Sequence, residues 1–217
     1  MTPNQPELVY DKQGNAHTIV DYNDDYVGAK LGFWLFLFTE MMIFGSMFLV
    51  YAFYMFQYSP EFVQYSATLN VKMGGINTFM LLCSALSIGL SLVRLREGNV
   101  TSSQKYIWIT IVLALVFLTI KYFEWSAEIN HGIYPGSPIL KEMGNGVVMF
   151  FGLYFVITGL HGVHIILGIG AMLWVLGLIR KGKITPSQFV VLENTALYWD
   201  LVHLVWVFVF PLFYLIH

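Results

Sequence analysis

The chain has 217 residues, of which 57% are hydrophobic and 11% charged, against roughly 25% charged in an ordinary soluble domain. A soluble fold cannot cover that much apolar surface, and a formal net charge of −2 gives no basic field for nucleic acid. A single cysteine, Cys83, excludes an internal disulfide, a CxxC redox pair and a thiolate metal cluster.

Residues 1–27 hold Asp11, Asp21, Asp24 and Asp25 and no apolar core. They read as a polar cytoplasmic tail, solvated and without fixed structure, and not as a cleaved signal peptide. Beyond the tail the apolar residues fall in blocks long enough to cross a bilayer. Five spans are expected, over about 31–56, 73–93, 106–128, 147–179 and 195–216. The fold class is therefore all-α, a polytopic membrane protein built as a five-transmembrane-helix bundle over residues 28–217.

Basic residues set the orientation. The links after the second and fourth spans hold Arg94, Arg96, Lys105, Arg180, Lys181 and Lys183, whereas those after the first and third hold Lys72 and Lys141. By the positive-inside rule the N-terminus lies inside and His217 outside. Trp108 and Tyr214 stand near span ends and fit an interfacial belt. The segment HGIYPGSP, from His131, reads as a turn region.

Several ionisable residues fall inside these spans, where each needs a partner, a proton or water. Glu40 interrupts the first span about 13 Å from its start, near the middle of a hydrocarbon core about 30 Å thick. A helix-packing contact and a proton-handling acid are both compatible with that position. Lys121, Glu124 and Glu128 follow at spacings of three and four, which suits an ion pair on one helical face or a solvated end of the third span. His161 and His164, three apart, share a face of the fourth span. They can bond to carboxylates on adjacent helices, or ligate a metal or haem with His203 as a third ligand. Asp200 and His203 repeat the three-residue spacing and can neutralise one another. The economical arrangement is a polar seam joining the third, fourth and fifth spans. Neither GxSxG, HExxH nor a phosphate-binding glycine loop occurs, so hydrolase and nucleotide-driven chemistries have no support.

The string YFVITGLHGVHIILG, residues 154–168, resembles the TGxHGxHxxxG motif of subunit III of haem-copper oxidases. Three further segments agree in order. LGFWLFLFTEMMIFG resembles the family helix with an intramembrane Glu, KYFEWSAEINHGIYPG its KxxEYxxxI region, and LYWDLVHLVWVFVFPLFYLI its YWHFVDxVWxxLF helix. The resemblance covers residues 28–217, and five spans match the shorter bacterial form.

The resemblance implies a non-catalytic core subunit of a cytochrome c oxidase that reduces oxygen to water and pumps protons across the bacterial inner membrane. Subunit I and the other oxidase subunits are the implied partners, and haem and copper belong to them, not to this chain. The implied roles are stabilising subunit I, supporting proton uptake and binding phospholipid. Glu40 takes the place of the family's carbodiimide-reactive glutamate. Glu124, Glu128, His161 and His164 fall on polar positions that support packing or lipid head groups. One departure is that the family reads His then Asp where this chain has Asp200 then His203, an exchange that keeps an acid and imidazole pair in the seam. A quinol oxidase subunit III and an accessory subunit of nitric oxide reductase are close alternatives. The residues alone also admit a haem-b cytochrome ligated by His161 or His164 with His203.

Overall fold

The computed structural model describes residues 8–10, 16–186 and 188–216, with side chains from residue 27 onward. Two short strands, β1 (Leu8–Tyr10) and β2 (Ala16–Thr18), pair antiparallel with Val9 opposite His17. The sequence reading left this tail without structure. Valine, tyrosine and threonine in the paired segments supply the β-preference that the acidic composition masked. Parts of the expected tail, residues 1–7 and 11–15, lie outside the described residues, as does His217.

Helices follow the hairpin, joined by short turns: α1 (Ile19–Gln57), α2 (Ser59–Ser66), α3 (Val71–Arg96), α4 (Val100–Asn130), α5 (Pro138–Glu142), α6 (Asn145–Arg180) and α7 (Val190–Tyr214). Five segments are long and apolar enough to cross a membrane: Val27–Gln57, Val71–Arg96, Val100–Asn130, Asn145–Arg180 and Val190–Tyr214. Helices suit this setting because each satisfies its own backbone where no water can. The contacts divide the chain after Glu40. In the first unit the helix carries exposed Leu31, Trp34, Leu35 and Phe38, and Thr39 Oγ1 donates to the Phe36 carbonyl at 2.7 Å.

In the second unit, α3 and α4 form the most extensive pairing, and α7 packs on both α3 and α6. A tight turn reverses the chain between α3 and α4. Gly98 adopts φ +81, which costs an L side chain strain, and the Asn99 side chain caps α4 by accepting from the Ser102 amide at 3.0 Å. The α3–α4 interface is built from small hydroxyl residues that let the backbones approach. Ser91 and Ser103 bond at 3.0 Å, Ser87 Oγ donates to the Tyr106 carbonyl at 2.9 Å, and Thr110 Oγ1 donates to the same carbonyl at 2.9 Å. Arg96, at the end of α3, reaches Glu193 at the start of α7 at 3.2 Å and lies 4.5 Å over the Phe189 ring. These ends therefore share one basic face with Arg94, Lys105 and Arg180.

The opposite end is aromatic. Tyr51, Phe62, Phe150, Tyr154 and Phe213 are all fully buried, with Tyr51 and Phe213 rings 4.9 Å apart and Phe62 and Phe150 5.3 Å apart. Here the last turn of α7 has carbonyls with no helical partner. Two other helices supply donors. Tyr51 Oη on α1 donates to the Leu212 carbonyl, and Ser66 Oγ on α2 donates to that of Phe213 at 2.8 Å.

A polar column as the candidate functional site

Polar groups stack through the middle of the second unit in tiers. Nearest the basic end is the serine and threonine ladder of α3 and α4. One tier further, the Ser84 hydroxyl gathers three groups. Its Oγ donates to the Leu81 carbonyl at 2.8 Å, accepts from Trp199 Nε1 at 3.1 Å and lies 2.9 Å from His203 Nε2. His203 Nε2 also contacts the Leu81 carbonyl, while Nδ1 lies 2.6 Å from that of Trp199. Both ring nitrogens are thus engaged between α3 and α7. Gly168 on α6 makes room for this tier, since a Cβ there would sit 2.6 Å from the Trp199 ring.

At the far end of the column lies an ion pair. Lys121 Nζ donates to Glu124 Oε2 at 3.1 Å, to Tyr154 Oη at 3.1 Å and to Tyr214 Oη at 2.9 Å. Both tyrosine hydroxyls donate to Glu124 Oε1, from Tyr154 at 2.9 Å and from Tyr214. Three helices converge here, and all four side chains are buried. The ammonium has three N–H donors and finds three acceptors, so this charge is fully coordinated. Lys121 also lies 5.4 Å over the Trp206 ring, a cation–π contact in a low-dielectric setting.

Between the two clusters, Trp206 forms a junction. Its Nε1 donates to Thr78 Oγ1 at 3.0 Å, Phe117 meets it edge-on at 4.8 Å, and His161 stacks on it at 5.2 Å. His161 is 1% exposed. His164, one turn on, has Nδ1 2.8 Å from the Leu160 carbonyl and its ring stacked on Tyr198. From Ser103 to Glu124 on α4 the column runs about 30 Å, the thickness of a hydrocarbon core.

The family model described as cytochrome c oxidase subunit III matches residues 13–217. The chain belongs to that family, the subunit III of haem-copper oxidases. A "Heme-copper oxidase subunit I+III" of Aeropyrum pernix is 30% identical over 84% of this chain, which spans only 22% of that longer protein. The "Quinol oxidase subunit 3" of Bacillus spizizenii is 27% identical over 94% of this chain and 95% of its own length. The "Cytochrome bo(3) ubiquinol oxidase subunit 3" of Buchnera aphidicola is 26% identical over 85% and 84%.

Measured against the expected seam, this subunit III chain differs in three respects. Asp200 and His203 do not pair. Asp200 is exposed on α7, and His203, on the buried face of that helix, instead bonds into α3. Among the described residues Asp200 makes no hydrogen bond or ion pair. The seam also takes in the second span, through Ser84 and Thr78, which no ionisable residue marked. Of the two readings of Lys121 and Glu124 the ion pair is the one the structure holds, buried, while Glu128 is half-buried one turn beyond, with its backbone carbonyl accepting from the amides of His131 and Ile133. Tyr214, read as an interfacial residue, is fully buried on Glu124, whereas Trp108 is 43% exposed. Glu40 is half-buried in the first unit. The tyrosines, Ser84, Trp199 and Trp206 escaped sequence reasoning. Their signal was spacing from the charged residues across helices, which only the packing reveals.

Proposed function

We propose that the chain is the non-catalytic subunit III of an oxygen-reducing, proton-pumping terminal oxidase, seated in a bacterial inner membrane against subunit I. The observation that carries this reading is the family match over residues 13–217 together with a bundle whose buried Lys121–Glu124 charge pair is already coordinated. A reaction centre needs groups left open to substrate or cofactor. Lys121, Glu124 and His203 are instead bonded between helices, so they hold α3, α4, α6 and α7 together. In this reading haem and copper reside in partner subunits, the chain stabilises subunit I and supports proton uptake, Glu40 is the family's reactive carboxyl, and phospholipid fills the membrane-facing grooves. The fused Aeropyrum relative, named I+III, supports subunit I as the partner.

Two electron donors fit this role. The family's own description favours cytochrome c, and the names of the Bacillus and Buchnera relatives favour quinol. Purification of the tagged chain in mild detergent tests the whole reading. A co-eluting larger subunit with haem and copper, and a colourless chain once that subunit is stripped, is the expected result. A Soret band that stays with the isolated chain would overturn it. Oxidation of quinol against reduced cytochrome c by the complex decides the donor.

A further inference from the structure

Asn77 and His161 are the two polar side chains of the column that are at least nine-tenths buried and make no hydrogen bond among the described residues. Asn77 is 0% exposed and His161 1%, and the unpartnered atoms are Asn77 Nδ2 and Oδ1 with His161 Nδ1 and Nε2. An orphaned buried polar group is costly, so these four atoms call for a partner.

The packing sets them at one height in the bundle. The tier of Ser84 and Thr110 is fixed by the Thr110 Oγ1 contact to the Ser84 carbonyl at 3.5 Å. Seven residues back along α3 is Asn77, and seven forward along antiparallel α4 is Phe117, each about 10 Å beyond that tier. Phe117 touches His161 at 5.7 Å and Trp206 at 4.8 Å, and Trp206 bonds Thr78, the neighbour of Asn77. Asn77 and His161 therefore stand at the height of the same indole, between the Ser84 cluster on one side and the Lys121 ion pair on the other.

We propose that this tier binds ordered water, which hydrogen-bonds Asn77 and His161 and joins the two clusters into one continuous polar column. Burial from every side leaves no approach for a protein partner or a lipid head group, so the ligand is of water size. A cation is disfavoured by the Lys121 ammonium 5.4 Å over the same indole. The valences match water. The Asn77 amide offers two donors and an acceptor, a neutral imidazole offers one of each, and a water supplies two of each. The inference does not rest on the oxidase reading, since it needs only the bundle.

The test is a map of the full chain, purified in whatever complex it retains, at a resolution that shows water. The expected result is density within about 3.2 Å of an Asn77 amide atom and of a His161 nitrogen. In H161F, which keeps the stack on Trp206, the peak beside residue 161 is lost while Trp206 still bonds Thr78. Should H161F fail to accumulate, the wild-type map decides alone. A tier with no density, or one in which Asn77 and His161 bond directly to each other, overturns the proposal.

Discussion

Lys121 and Glu124 form an ion pair at 3.1 Å with only 9% and 4% of their side chains exposed. Burial on this scale makes the pair an obligate unit. Coulomb attraction and the two tyrosine hydroxyls offset a desolvation penalty of several kcal/mol per ion, and either charge left alone keeps the penalty without the offset. K121M and E124L singly are therefore expected to destabilise the chain by about 3–5 kcal/mol. The double variant K121M/E124L costs less than either, because no uncompensated charge remains. Thermal denaturation of the purified complex measures the cycle, and additive single effects would sink the argument.

Ser84 carries a prediction of a different kind, because its hydroxyl holds three groups together with no charge of its own. S84A removes the acceptor of the Trp199 indole N–H and a partner of His203 Nε2 in a closed site. The expected cost is about 1–3 kcal/mol for the orphaned groups. T119A provides the comparison, since that hydroxyl only bonds back to the Leu115 carbonyl on an exposed face, and its cost is expected within about 0.5 kcal/mol. Equal thermal shifts for the two variants would count against the Ser84 hub.

Why the sequence yielded the spans but only part of the column follows from what each depends on. A span is a local property, a run of apolar residues, so all five were readable and their ends moved by a few residues. Lys121 and Glu124 could be paired from spacing, since residues three apart on one helix are neighbours and can bond. Asp200 and His203 had the same spacing and did not meet, because burial chose a different face of α7. Tyr154, Tyr214, Ser84 and Trp206 are 30 or more residues from at least one partner, and such contacts depend on the tilt and height of neighbouring helices, which periodicity does not encode.

Asp200 gives the sharpest separation between the pattern and the packing. Were it the partner of His203, D200A would leave an imidazole unsatisfied and loosen the subunit. In the structure His203 is held by Ser84 and two backbone carbonyls, and Asp200 is exposed. D200A is expected to shift stability by no more than about 0.5 kcal/mol, with the chain retained through mild detergent as in wild type. Loss of the chain from the complex would restore the acid and imidazole pair.

Gly168 and Gly170 test the fit of α6 against α7. A Cβ at Gly168 would stand 2.6 and 2.7 Å from two atoms of the Trp199 ring, whereas one at Gly170 meets nothing within 4 Å. Trp199 cannot swing away cheaply, because it is fully buried and its Nε1 is tied to Ser84. G168A is expected to cost about 1–3 kcal/mol through overpacking. G170A is expected to be neutral or to gain up to about 1 kcal/mol from better helix propensity. Denaturation midpoints in the same order as these values support the packing, and the reverse order refutes it.

Glu40 and Glu124 both stand inside spans, yet they differ in what can reach them. Glu124 is 5% exposed with both carboxylate oxygens bonded to Lys121 and two tyrosines, while Glu40 is half-buried. An apolar carbodiimide attacks a protonated carboxyl that it can approach from the membrane. Glu124, enclosed with both its oxygens bonded, offers no such approach. Labelling of the native membrane is expected to modify the peptide that holds Glu40 and to spare the one that holds Glu124. Asp200, an exposed acid on α7, serves as an internal control on reagent access. E40Q removes the titratable group at nearly constant volume, so it is expected to abolish labelling at residue 40 while the chain still assembles. Persistent label on that peptide in E40Q, or label on Glu124 in wild type, would show that enclosure does not govern reactivity here.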